Sequence, residues 1–255
     1  MAGVVRFHET LRGHVSPAQL ADRDGARVVA ADHEAHAARG RAEGNSLVFM
    51  LTVVTADVDA MLADPDHASP VFGCVLAPAL SPRPLRVEAG TLGLFATVDD
   101  EGRVLHMRYL LALVDDDAHD GSATTATTTP TTTPTTTRRW LLRGVKEVLR
   151  RRPWPTTTAD TTTLFVDVWR IHEAVGDGDD GRGAPVLRGV LREGVVGVLA
   201  QLSSFRGDVG GLWRYLSFYV RSLLRVYLGP RRAPLRPAWE RRAAFVAAPV
   251  RPAPR

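Results

Sequence analysis

Cysteine is almost missing from this 255-residue chain: Cys74 stands alone. That excludes an internal disulfide framework and any cysteine-built zinc or iron–sulfur centre. Lysine is just as scarce, Lys146 being the only one among 32 basic residues, the rest arginine. With abundant Ala and Pro, this bias resembles GC-rich coding, so part of the basic character carries no functional message. No basic stretch followed by an apolar run reads as a secretory leader, which leads us to expect a soluble, cytoplasmic protein. No G-x-S-x-G elbow, phosphate-binding loop or H-E-x-x-H pair occurs, which removes the commonest hydrolase, nucleotide and metalloprotease signatures.

What is present is an ordinary globular balance, 45% hydrophobic and 24% charged, with the charge unevenly placed. Residues 206–255 hold eleven Arg against Asp208 and Glu240, a local +9, so residues 1–205 carry 21 basic and 26 acidic groups, or −5. An acidic body with a basic end points to docking on an anionic membrane surface or an acidic partner protein through 209–255. Nucleic acid is the weaker partner, because the body is acidic and no nucleic-acid module is recognisable. Peripheral membrane attachment follows as an expectation.

Eleven of positions 124–137 are Thr. Such a tract cannot bury enough apolar surface to offset its ordering entropy, so 115–137 reads as a disordered insertion. Residues 229–255, rich in Pro and Arg, read as an extended tail. The remainder is dominated by short apolar runs bounded by Gly, Pro and Asp: 5–15, 47–55, 71–77, 85–95, 104–114, 139–149, 161–170, 186–192 and 195–205. Their lengths and β-branched content suit strands. In 105–113, Leu105, Met107, Tyr109, Leu111 and Leu113 share one face, the period of a strand. Pro17–Ala42, rich in Ala and charged residues, is nearly without large apolar residues and reads as a loop with a fragment of exposed helix. Asp57 reads as the N-cap of a turn over 57–62. Residues 209–228 read as an amphipathic helix packed on the β domain, with Arg214, Ser217, Arg221 and Arg225 on one polar stripe.

The expected fold is therefore mainly β: an antiparallel barrel or sandwich of about nine strands with a C-terminal amphipathic helix. One domain spans 1–228. Its halves, 1–114 and 138–205, echo each other: Leu11-Arg12-Gly13 matches Leu142-Arg143-Gly144, and Gly90–Phe95 occupies the place of Ala200–Phe205. Either an ancestral duplication or the sameness of strand–Gly–strand sequences accounts for this.

Most candidate chemistry has a plainer reading. Gly176–Gly181 fits G-x-G-x-x-G, but three Asp would repel a pyrophosphate and a strand follows, so it reads as an acidic loop. His33 and His36 lack a third ligand and read as parts of a solvated loop, leaving no expected metal site and no cofactor. Cys74 reads as a buried structural thiol. Asp64 reads as a turn cap, and His67 beside it is a candidate general base. Glu9 shares the parity of Phe7 and Leu11, so an inward carboxylate there must find a cation or donor, such as Arg12, Lys146 or Arg143, or shift its pKa upward. Glu9, Tyr109, Lys146 and Asp160, which precedes a strand, are the polar groups that would orient a ligand inside a barrel.

The pieces Phe7-x-Glu9-x-Leu11-x-Gly13, Asp64-Pro65-x-His67, Gly90-x-Leu92-x-Leu94-Phe95, Met107-x-Tyr109-x-Leu111, Leu142-x-Gly144-x-Lys146 and Gln201-Leu202-x-Ser204-Phe205 together resemble a β-rich accessory region of large GMC-type, cholesterol-oxidase-like oxidoreductases. The resemblance covers most of 5–228 and lacks that family's flavin-binding glycine motif. It implies a non-catalytic accessory domain that holds an apolar ligand, a lipid or sterol, beside a sterol-oxidase-like system. The alternatives are a small lipid-modifying enzyme using Glu9 and His67 as its acid–base pair, and a purely structural interaction module.

Overall fold

A computed structural model of the chain describes residues 3–18, 30–97, 104–115, 138–149, 162–171 and 185–228. The strands are β1 (Val5–Pro17), β2 (Ser46–Thr55), β3 (Ala68–Leu76), β4 (Leu85–Thr97), β5 (Val104–Val114), β6 (Arg139–Leu149), β7 (Thr163–Ile171), β8 (Leu187–Arg192) and β9 (Arg206–Gly207). The helices are α1 (Ala30–Ala42), α2 (Val58–Ala63), α3 (Val195–Ser204) and α4 (Val209–Leu228). Each strand from β1 to β8 pairs antiparallel with the next, and β8 returns to β1. The result is a closed eight-stranded barrel with one extra short strand, not a sandwich. Closure satisfies the backbone groups that an open edge would leave unpaired.

The alternation read from the sequence is what fills the barrel. Leu105, Met107, Tyr109, Leu111 and Leu113 of β5 are all buried, as are Leu47, Phe49, Leu51 and Val53 of β2 and Leu164, Val166 and Val168 of β7. Asp57 caps α2 by accepting from the backbone of Asp59 and Ala60 at 2.9 and 3.1 Å. Asp64 holds the following turn, accepting from the amides of Asp66 and Ala68.

The barrel wall is split at one place. β8 pairs with β1 only from Arg12 to Pro17. Beyond that, the free side of β1 is covered by α3, whose Ser204 Oγ accepts from the His8 amide at 2.8 Å, and by β9 opposite Val5 and Arg6. Helix α4 then closes this end. Tyr215 is fully buried, and Leu212, Phe218, Tyr219 and Leu223 pack on the core. Phe7 stacks on Phe205 with ring centres 4.7 Å apart, and Phe95 meets Tyr219 edge-on at 4.9 Å.

Three expectations are corrected. Residues 195–204 form helix α3 rather than a ninth long strand; the Gly90–Phe95 segment of β4 thus has a helical counterpart, which removes that part of the internal echo. Residues 30–42 form one helix with a buried face, not an exposed fragment. Cys74 is partly exposed rather than buried. The Thr-rich tract after Asp115, the 176–181 loop, Asp160 and the tail lie outside the described residues.

Candidate functional site

Three ionisable side chains meet inside the barrel, and a fourth lies within their electrostatic field. In an eight-strand ring, β5 lies opposite β1, so Tyr109 reaches across the interior and donates its hydroxyl proton to Glu9 Oε2. Lys146 of β6 donates to Glu9 Oε1. Its ammonium also lies 5.7 Å from the centre of the Tyr109 ring. All three residues are at most 3% exposed. Inward parity places them there: Glu9 follows Val5 and Phe7, Tyr109 follows Leu105 and Met107, and Lys146 alternates with Leu142 and Val148.

The fourth member is Glu193, which the sequence reading passed over. It follows Arg192, the last residue of β8, continues the inward parity of Leu187, Gly189 and Leu191, and its amide donates to Thr162 O at 2.9 Å. That parity was the available signal; reading 195–205 as a strand hid it. Glu193 sits where β8 leaves β1, 7% exposed, and its Oε1 is shielded from solvent without a hydrogen-bond partner. Burial, then the charge of Glu9, pushes its carboxyl up to about 7, with Lys146 pulling the other way. One electrostatic cluster therefore contains two carboxylates, one ammonium and a phenol. Burial and the neighbouring Glu9 also push the Tyr109 phenol well above its ordinary range. On α4, Tyr215 is raised by burial, then by Tyr219 and Glu9, so the helical cap lies within the field of the cluster.

His67 is placed elsewhere. Its Nδ1 lies 3.2 Å from the carbonyl oxygen of Met61, and its ring packs edge-on against Phe218 at 4.7 Å. The contacts of Glu9 are with Tyr109 and Lys146, and none joins it to His67. His67 and Phe95 both have left-handed backbones, at φ 45 and 52. Both pack against Phe218, so α4 holds two strained positions at the barrel end.

A second polar group lies on the outer wall beneath α1 and is architectural. His33, His36, Ala37 and Gly40, spaced three, one and three apart, form the buried face of that helix. His36 Nδ1 and Ser16 Oγ are 2.7 Å apart, but Ser16 is wholly buried, so this serine–histidine contact has no route to a substrate. His33 lies 3.4 Å from Asp167. Asp167 also accepts from Arg188 Nε at 2.8 Å and from Arg143 at 3.4 Å. Burial alone would raise the Asp167 carboxyl; hydrogen bonding and charge from His33, then Arg188, outweigh it and hold the pKa at about 2. The two histidines are thus docking contacts rather than parts of a solvated loop. Among the described residues, no group of His, Cys, Asp and Glu is arranged to hold a metal ion.

Comparison with known proteins adds no relative: no family model, no curated protein and no solved structure matches the chain.

Proposed function

We propose that the barrel is a non-catalytic binding module for one apolar molecule, a lipid or sterol, whose uncharged polar end meets Glu9, Tyr109, Lys146 and Glu193. The carrying observation is the sealed, unpartnered Oε1 of Glu193 beside an ion pair that is otherwise satisfied. Leaving such an oxygen unmet costs about 1–3 kcal/mol, which a ligand hydroxyl donating to it recovers. Two carboxylates against one ammonium disfavour an anionic head, so the site selects alcohols over fatty acids. An eight-stranded barrel is either filled by its own side chains or holds one small ligand, and an apolar ligand here would meet Leu, Val, Phe and Met. The resemblance to the accessory region of cholesterol-oxidase-like proteins favours a sterol, working beside a separate oxidase. Native mass spectrometry of the purified chain tests this. One equivalent of cholesterol or 1-dodecanol is expected to bind, and dodecanoate to bind at least tenfold more weakly. Binding of neither alcohol leaves a purely structural module. Under the proposal Glu9→Gln and His67→Ala change no turnover, whereas a lipid-modifying enzyme built on that pair would lose it.

The same reading includes a place of work. Val209, Trp213, Leu216, Val220 and Leu224, spaced four, three, four and four apart, form an exposed apolar stripe on α4, opposed to its buried face. Arg221 and Arg225 are exposed on the same helix, which has no acidic residue. We infer that α4 rests on an anionic membrane surface, apolar stripe down and arginines at the headgroups. No helix among the described residues is long and apolar enough to cross a membrane. Sedimentation with phosphatidylserine vesicles, and its loss in Leu216→Asp/Val220→Asp, is the expected result. Dimerisation abolished by the same pair would instead identify a second copy as the occupant.

A further inference from the structure

We propose that Lys146 is a reactive amine that condenses with the carbonyl group of an apolar aldehyde or ketone held in the barrel. This rests on the binding reading above for an apolar ligand with an uncharged polar end, and extends that end from an alcohol, which donates to Glu193, to a carbonyl, which accepts from the protonated Glu193. Its starting point is the placement of the only lysine. Thirty-two residues of the chain are basic, and every one except Lys146 is arginine. Coding bias therefore supplies arginine wherever positive charge suffices, and a buried carboxylate is paired better by the planar guanidinium fork than by an ammonium. The outer-wall carboxylate follows that rule: Asp167 is paired by Arg188 and Arg143. The interior carboxylate Glu9 does not, and is met by the single primary amine. A primary amine offers one thing arginine does not, which is imine formation with a carbonyl carbon.

The surroundings fit each step. The ammonium of Lys146 gives a proton to a cluster carboxylate, and its lone pair attacks the carbonyl carbon. The carbonyl π pair moves to oxygen, which takes that proton back from the carboxyl, and the nitrogen releases one of its two protons to the carboxylate, giving a neutral carbinolamine. The hydroxyl takes this second proton and leaves as water as the nitrogen lone pair forms the C=N bond. In sum, an ammonium and a carbonyl become a protonated imine and one water, so the positive charge beside Glu9 is conserved. The Glu9 carboxylate that stabilises the ammonium stabilises the iminium equally, and no buried charge is created or lost. Glu193, at the split between β1 and β8 and with its Oε1 unpartnered, is the group free to carry the proton between nitrogen and oxygen. Its pKa of about 7 suits that exchange near neutral pH. Tyr109 and the apolar walls exclude water that would hydrolyse the imine.

The test uses the full chain, dodecanal as the probe and sodium cyanoborohydride as the trap. With one lysine in the chain, every adduct is either on Lys146 or on the terminal amine, and peptide mapping tells them apart. One dodecyl group per chain on the Lys146 peptide is the expected result, formed about 10²-fold more slowly in Glu193→Gln. Lys146→Arg is expected to retain the non-covalent complex in native mass spectra and to lose the internal adduct. A non-covalent dodecanal complex without an adduct at Lys146 overturns the inference and leaves the binding reading standing. Finding neither complex nor adduct overturns the inference, and failure of cholesterol and 1-dodecanol to bind as well overturns the binding reading.

Discussion

Replacing Glu193 with glutamine separates the cost of a buried carboxylate from everything else that titrates in this protein. The folded-state pKa is about 7 against an ordinary 4.5. The neutral acid is therefore favoured in the folded state, and the sign follows from linkage. Below the ordinary value both states are protonated and the group is silent. Between about pH 4.5 and 7 the unfolded chain ionises while the folded one resists, so stability falls as pH rises, then levels off. A difference of about 2.5 pH units corresponds to about 3 kcal/mol at most, and to about 1–2 kcal/mol once partial solvent screening at the barrel split is allowed for. Glutamine removes this loss and forfeits no hydrogen bond at Oε1, which has none. Urea unfolding at pH 5, 6, 7 and 8 is the assay, read as the difference between variant and native chain so that other titrating groups cancel. The difference is expected to be about a quarter of its full size at pH 5 and to grow to about 1–2 kcal/mol in favour of the variant at pH 8. A difference that does not vary with pH refutes the placement of Glu193 in the cluster.

Asp167 carries the opposite sign: its pKa of about 2 lies below the ordinary 3.8, so its stabilisation is complete above that value and is lost as pH falls through 2. Asp167→Asn strips Arg188 and Arg143 of their counter-charge and is expected to cost about 3 kcal/mol at pH 7, measured by urea unfolding, with the acid-induced loss between pH 4 and 2 flattened. At Gly40 a Cβ would stand 2.1 Å from the carbonyl oxygen of Val15, so Gly40→Ala is expected to lift α1 off the barrel, seen as fast hydrogen exchange in 30–42 while β2 to β7 stay protected. Tyr215→Ala removes a wholly buried ring and is expected to cost about 3–5 kcal/mol, whereas Trp213→Ser on the exposed stripe of the same helix stays within about 0.5 kcal/mol.

The strands were legible because runs such as Leu47–Val53 of β2 and Leu105–Leu113 of β5 place an apolar residue at every second position, all of them buried. Glu9 was legible for the same reason: a carboxylate on the parity of Phe7 and Leu11 must point inward, and its need for a cation named Lys146 among three candidates. Helix α1 was hidden because its buried face is His33, His36, Ala37 and Gly40. None of these signals burial by hydrophobicity. The helix is held by polar contacts to Ser16 and Asp167, and by a glycine that lets its backbone touch β1. Helix α3 was misread because Val195-Val196-Gly197-Val198-Leu199 has strand composition. Its exposed residues, Val196, Leu199 and Leu202, recur every third position, the mark of a helix face rather than a pleat.

The misreading of α3 and the oversight of Glu193 share one cause, which is the split between β8 and β1. A strand continuing past Arg192 would have paired with β1 and closed the wall by hydrogen bonds. The chain instead turns at Glu193 and Gly194 into a helix, so the neighbour of β1 there is a packed helix face. Breaking the ladder leaves room at this point for a side chain from outside the sheet, and Glu193 there lies within the electrostatic field of Glu9 and Lys146. Local strand rules fail at the point where a second carboxylate is delivered to the only buried ammonium among the described residues. A regular eighth strand would have sealed that point with an apolar side chain and left the pair without the proton carrier that imine formation needs.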